Sequence, residues 1–294
     1  MQKKHPWVSN AILFILSFVL VLPLIGTLLN SLFRDFTSIV PKGFTLSFYA
    51  ELFTGDNQLL PVLLRTVVIA VVPTVILLVL LLLAMYAVQV YFPKLDKYLD
   101  ILSKIPYGIQ GVILAVSILS LYTGGGGILS NRILLLICAY CIIILPYMYQ
   151  GIKNALLTIE VLPILEAAEI LGANKVYAYF RIVVPSMMKG LFATMLLSIG
   201  ILFGDFVLVN ILAGSYYKTM GIYLNEIRGS SGHAASAVSV IMFLVMLGLS
   251  FGVNQLNKDT KTKRKSAKQK QAVKAVKIGS SAEKERAKHE LYRV

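Results

Sequence analysis

The sequence predicts an all-α integral membrane protein with six transmembrane helices, and three observations carry that expectation. Hydrophobic residues make up 57% of the 294 positions and charged residues only 14%, where a soluble domain carries about a quarter charged. Six stretches are apolar over lengths near the ~20 residues that cross roughly 30 Å of hydrocarbon. Lys and Arg concentrate in alternate connecting segments and in the last forty residues, as they do when one side of a membrane protein faces the cytoplasm.

Taken in order, the first run, residues 8–33, holds no charge between Lys4 and Arg34. It is longer than a signal-peptide core and lacks a small-residue exit, so it is expected to stay as an anchor. The second run, 61–90, carries only Arg65, near its start; the third, 105–122, and the fourth, 133–152, are uncharged. The fifth, 190–217, contains one charge, Asp205, and the sixth, 229–257, only His233 near its start. Gly200 with Gly204, and Gly248 with Gly252, sit four apart and would allow helices to approach closely. Cys138 and Cys141 fall inside the fourth run with no second ligand pair nearby, which reads as packing rather than zinc or redox chemistry.

Between the runs, residues 34–60 mix Pro41, Gly43 and Gly55 with several aromatics. Within them 47–53 (Ser-Phe-Tyr-Ala-Glu-Leu-Phe) fits either a short amphipathic surface helix or a loop with aromatic anchors. Gly124 to Gly127 would suit a phosphate loop only if Gly-Lys-Ser/Thr followed, and it does not. No stretch of the chain looks able to bind ATP, so the chain is expected not to be an enzyme itself.

An even number of spans puts both termini on one side. With the N-terminus inside, 22 Lys and Arg fall in inside segments and six in outside ones, the tail supplying 13 of the 22. The organisation is therefore a six-span domain over 1–254 and a basic, flexible cytoplasmic tail over 255–294, with both termini cytoplasmic. The net charge of +14 does not call for nucleic acid, because most of it lies in that tail, where anionic lipid is the nearer partner.

The segment 159–189, between the fourth and fifth runs, is too polar to sit in lipid. Pro163 suits the first turn of a helix and Gly172 its left-handed stop, which defines one short helix between spans four and five. Glu166 and Glu169 share a face one turn apart, beside a small-residue surface of Ala167, Ala168 and Leu171. From Glu166 to Gly172 the rise is about 9 Å, enough for a knob that enters a groove.

Glu166-Ala167-Ala168, Gly172, Ile182 and Pro185 follow the spacing Glu-Ala-Ala, three residues, Gly, nine residues, Ile, one residue, Leu-Pro, with Val184 in place of Leu. In this the chain resembles the permease subunits of binding-protein-dependent ABC importers with the type I fold. The resemblance implies that loop 159–185 carries a coupling helix, with Glu166, Ala167, Ala168, Gly172 and Ala173 docking on an ATPase subunit. It also implies partners: two ATPase subunits holding ATP and Mg, a second permease that is identical or related, and an external solute-binding protein in a bacterial cell membrane. No cofactor or metal is expected in the chain itself. Residues 212–224 resemble, more loosely, the branch that imports polyamines, ferric iron and phosphonates.

Asp205 is the sharpest feature of the spans, because a carboxylate near the bilayer centre costs roughly 2.5–3.5 kcal/mol on insertion scales. Two readings stand open: a translocation-path residue together with Asn210, or a structural role, as partner for a polar group such as Arg65 or a backbone amide or simply as an end-of-helix position nearer the water. Two other classes of function are weighed. An ion-coupled carrier without an ATPase would need more buried ionisable groups than Asp205. A membrane hydrolase has only Ser231-Gly232-His233 to offer, without a nucleophile elbow.

Overall fold

A computed structural model describes residues 6–35, 42–54, 59–109, 111–122 and 131–252. The Gly124–Gly127 turn and the basic tail expected from 255 onward lie outside the described residues. The elements are α1 (Pro6–Leu32), a hairpin of β1 (Phe33–Asp35) and β2 (Lys42–Phe44), α2 (Ser47–Thr54), α3 (Leu59–Val90), α4 (Asp96–Lys104), α5 (Gly111–Tyr122) and α6 (Arg132–Leu156). They continue with α7 (Val161–Ile170), α8 (Lys175–Ala178), α9 (Val184–Ser186), α10 (Met188–Phe203), α11 (Val207–Leu212) and α12 (Met220–Ser230). A last helix, α13, covers Gly232–Gly252.

Four helices are long and apolar enough to cross a membrane: Leu13–Leu32 within α1, then α3, α6 and α13. Two bent pairs bring the number to six where each is one span. Of the two readings of 47–53, the structure has the helix, α2. The chain is otherwise helical among the described residues apart from the hairpin, where Phe33 pairs with Phe44 and Asp35 with Lys42.

Helix α6 is the axis of the bundle. Asn131 starts it by accepting the Ile133 amide at 3.0 Å, and Leu136, Ala139, Tyr140, Ile144, Met148, Tyr149 and Ile152 are all fully buried. Helices α3 and α10 pack against it and against each other. The α6–α10 crossing is closed by small residues: a Cβ at Gly151 would run into the Thr194 side chain, and one at Gly190 would come within 2.9 Å of the Ala155 Cβ. Lipid chains are as apolar as Leu, so close packing of this kind, more than hydrophobicity, holds spanning helices together. Cys141 directs its thiol to the Pro73 carbonyl at 3.6 Å, while Cys138 is exposed, so the pair forms no joint site in the fold.

Two of the expected spans have different boundaries, and both differences have a local cause. The third was expected over 105–122, but Ile105–Gly108 is a 3₁₀ turn and the straight helix begins at Gly111. Pro106 has no amide to bond back into a continuing helix, and the chain bends by 94° between Pro93–Gly108 and Gly111–Tyr122. The fifth was expected over 190–217, but α10 stops at Phe203 and α11 resumes at Val207. Gly204 sits in the gap and favours neither side of it.

Candidate functional site

Helix α7 is built as the sequence dictates. Pro163 occupies its first turn, and Gly172, at φ +80°, follows its end. The Gly172 amide donates to the Glu169 carbonyl and the Ala173 amide to the Ala168 carbonyl, each at 2.9 Å. That pair of bonds is a Schellman motif, which consumes carbonyls that a bare helix end would leave open.

The helix sorts its residues by face. Val161, Leu165 and Ala168 are buried, so Ala168 turns toward the body of the protein while Ala167, Glu166 and Glu169 face out. At the tip, Ile170 and Leu171 are 86% and 85% exposed. Two adjacent aliphatic side chains this bare, at the end of a rigidly closed helix, make a knob without a socket among the described residues. Lys175 Nζ meets Glu169 Oε2 at 2.9 Å across the turn, and Asn174 accepts the Val176 amide at 3.1 Å to start α8. The Glu169 carboxylate raises the Lys175 ammonium above its usual value. Stability from a raised lysine is complete below its unfolded pKa and lost only as pH climbs through the folded one, so this strap holds across the neutral range.

A wide π-turn, Tyr179–Val183, follows α8 and leads into Pro185. Tyr179 is fully buried there; its hydroxyl donates to the Leu82 carbonyl at 3.3 Å and its ring lies 5.0 Å from that of Tyr86. Since α7 packs on α8 and on this turn, Tyr179 is one link from the α7 region to α3. The sequence reading missed Tyr179; a large aromatic in a loop, a few residues before a proline, was the available signal.

Beside α7, Lys153 near the end of α6 reaches Asp96 at 3.2 Å and Asp100 at 3.3 Å on α4, and bonds the Tyr149 hydroxyl at 3.1 Å. Asp100 also pairs with Lys104 at 2.6 Å, one turn on in α4.

Asp205 lies in the break between α10 and α11. Its Oδ2 accepts the Tyr140 hydroxyl at 3.1 Å and the Leu208 amide, in the first turn of α11, at 3.2 Å. The partners are thus a phenol of α6 and a backbone amide; Arg65 makes neither contact. Asn210, one turn on from Phe206, is exposed, as are Gly204 and Val207. Ser117 and Ser120 are exposed on α5, which packs against α11. Asp205→Ala leaves the buried Tyr140 hydroxyl and the Leu208 amide unpaired, at about 1–3 kcal/mol each, and is expected to lower the melting temperature of the purified protein. Asp205→Asn keeps an acceptor and is expected to melt near wild type. Its transport rate then separates the two readings: a stable but inactive Asn variant assigns the charge to the path, and an active one leaves it as a structural partner.

His233 is a structural pin. A carbonyl can only accept, so Nδ1–H donates to the Asn30 carbonyl at 2.9 Å, and the ring stacks on Phe48 at 5.2 Å. The ring thereby joins α13 to α1 and α2.

Residues 43–261 match the family of binding-protein-dependent transport system inner membrane components. A protein of Salmonella typhimurium named for a 2-aminoethylphosphonate transport system, the permease PhnV, is 23% identical over 242 residues, which are 82% of this chain and 89% of that one. PotC of Haemophilus influenzae, a spermidine/putrescine transport system permease, is 26% identical over 244 residues, covering 83% and 93%. A solved bacterial ABC transporter involved in importing the acidic polysaccharide alginate superposes with a TM-score of 0.66 at 18% identity, over 86% of this chain and 96% of that one. The same transporter solved with an alginate pentasaccharide-bound periplasmic protein gives 0.65 at 17%, over 86% and 95%. These matches favour the importer over the ion-coupled carrier. The chain belongs to the binding-protein-dependent transport system inner membrane component family and is a multi-pass permease subunit of an ABC importer.

Proposed function

We propose that this chain forms half of the translocation pathway for a small charged solute, of the polyamine, phosphonate or ferric iron kind, delivered by an external binding protein. The relatives named for spermidine/putrescine and for 2-aminoethylphosphonate support that range of substrates. A second permease, identical or related, supplies the other half. Ile170 and Leu171 carry the mechanism: they are the exposed tip of α7, the coupling helix, and they enter a groove on an ATPase subunit. Glu166, Glu169 and Ala167 contact the groove wall, and Gly172 with Ala173 closes the helix behind the tip.

Loop 159–185 and both termini face the cytoplasm, as the placement of Lys and Arg requires. ATP and Mg belong to the two ATPase subunits. As those subunits close, two coupling helices are drawn together, and the spans rock from inward- to outward-facing. Asn210, Ser117 and Ser120 offer uncharged hydrogen-bonding groups along the face of α5 and α11 that meets the second permease.

The test is to purify the chain from its native membrane in mild detergent and identify the accompanying subunits by mass spectrometry. Wild type is expected to bring an ATPase with a Walker motif. Ile170→Asp with Leu171→Asp is expected to lose it, by at least tenfold, while remaining in the membrane. A homogeneous preparation that transports without any ATPase would overturn the reading.

A further inference from the structure

Helix α4 is amphipathic in the reverse sense for a helix facing water. Its acidic residues, Asp96 and Asp100, turn inward to Lys153 of α6. Its apolar residues turn outward: Leu95, Tyr98, Ile101, Leu102 and Ile105 are 46–69% exposed and, with Val88 and Leu99, line an almost wholly apolar groove of about 420 Å³. Carboxylates in and hydrocarbon out, with lysines left at the surface, is the arrangement of a helix whose outer solvent is lipid.

Three further features fix the kind of lipid. The 94° bend between Pro93–Gly108 and Gly111–Tyr122 lays α4 across the direction of α5, so it runs along the bilayer surface when α5 enters the bilayer. Exposed aromatics surround it, Tyr91, Phe92, Tyr98 and Tyr107, the residue types that settle at headgroup level. Lys94, Lys97 and Lys104 share a stripe with Ile101 at helical spacing, and Ile101 lines the groove. Lys104 is paired to Asp100; no ion pair is recorded for Lys94 or Lys97 among the described residues.

We propose that α4 is a binding site for an anionic phospholipid, with an acyl chain in the groove and the phosphate on Lys94 and Lys97. The choice of the cytoplasmic leaflet rests on the proposed orientation; the chemistry of the site does not. Charge complementarity selects this occupant over two others. The tail from 255 carries 13 basic residues against four acidic and is repelled by the same lysines. A second copy docking face to face would set one lysine stripe against another.

The experiment uses the full chain with whatever subunits it recruits. A photo-reactive phenylalanine analogue replaces Tyr98 in native membranes, and lipid retention is measured in parallel by native mass spectrometry with added phosphatidylglycerol and phosphatidylcholine. The expected result is a lipid adduct at position 98 and preferential retention of phosphatidylglycerol, which falls roughly 30-fold in Lys94→Gln with Lys97→Gln, two charges at about 1 kcal/mol each. The double variant leaves the Asp96, Asp100 and Lys153 contacts in place, so folding is not at issue. A protein adduct at position 98, from the tail or a second permease, overturns the proposal. So does equal retention of the two lipids. Neither readout involves ATP or uptake, so the proposal can fail while the coupling-helix reading stands, and the reverse.

Discussion

Gly172→Trp is expected to leave the protein inserted and assembled but to abolish uptake, with ATP hydrolysis continuing unproductively. At φ +80° a residue with a side chain pays about 1–2 kcal/mol in the left-handed region. The cheaper course is to leave that region, which breaks the amide bonds from Gly172 to Glu169 and from Ala173 to Ala168. The last turn then frays and the tip formed by Ile170 and Leu171 loses its fixed direction. No heavy atom lies within 4 Å of a Cβ built at Gly172, so the substitution meets no clash at its first atom, and on the proposed docking the indole would add bulk at that surface. Gly172→Ala separates the two effects: it carries the backbone penalty without the bulk and is expected to lose coupling only in part. Parallel measurements of hydrolysis and uptake in reconstituted vesicles decide it, and full transport by a stably assembled Gly172→Trp complex would remove the helix end from the mechanism.

Gly151→Leu is expected to prevent recovery of folded protein. The added Cβ falls on the Thr194 side chain, reaching as close as 2.8 Å to its Cβ, so rotation of Thr194 alone does not clear the space. Helices α6 and α10 must separate, and Ala155 against Gly190 one turn along loses its contact as well. Overpacking of this kind costs typically about 1–3 kcal/mol, and a branched leucine side chain at a two-helix crossing is expected at the upper end or beyond. The compensating change is specific: Gly151→Ala with Thr194→Gly is expected to melt closer to wild type than Gly151→Ala alone. A double-mutant cycle without coupling between the two positions would refute the crossing.

Much of this architecture was readable because spanning helices announce themselves. Unbroken apolar runs placed α3 and α6 within a few residues, and Pro163 with Gly172 placed α7, because both residues act through their own backbone. The breaks were not readable in the same way. Hydropathy averages over a window, so the 3₁₀ turn at Pro106 and the gap at Gly204 disappear into runs that remain apolar on both sides. The exposed tip was partly legible: Leu171 belonged to the expected surface, but the inward turn of Ala168 depends on where α8 lies. The partner of Asp205 was beyond reach, since Tyr140 lies 65 residues away on another helix, and nothing in a single sequence distinguishes one buried tyrosine from another. Residues that act across the fold, Tyr179 and Lys153 among them, were hidden for the same reason.

If α7 docks on an ATPase as proposed, the tether from Tyr179 to α3 would make this subunit a lever with its fulcrum at that tyrosine. A load applied at Ile170 passes through the packed underside of α7 to a rigid phenol, and from there to the backbone of α3 at Leu82. How far the spans tilt for a given stroke is then set by the stiffness of that joint rather than by the grip of the docking surface. Substitutions around Leu82 and Tyr86, touching neither solute nor ATPase, should therefore change how many hydrolysis events are spent on each transported molecule. Lineages of such importers can in this way adjust their gearing without altering what they carry or which motor drives them.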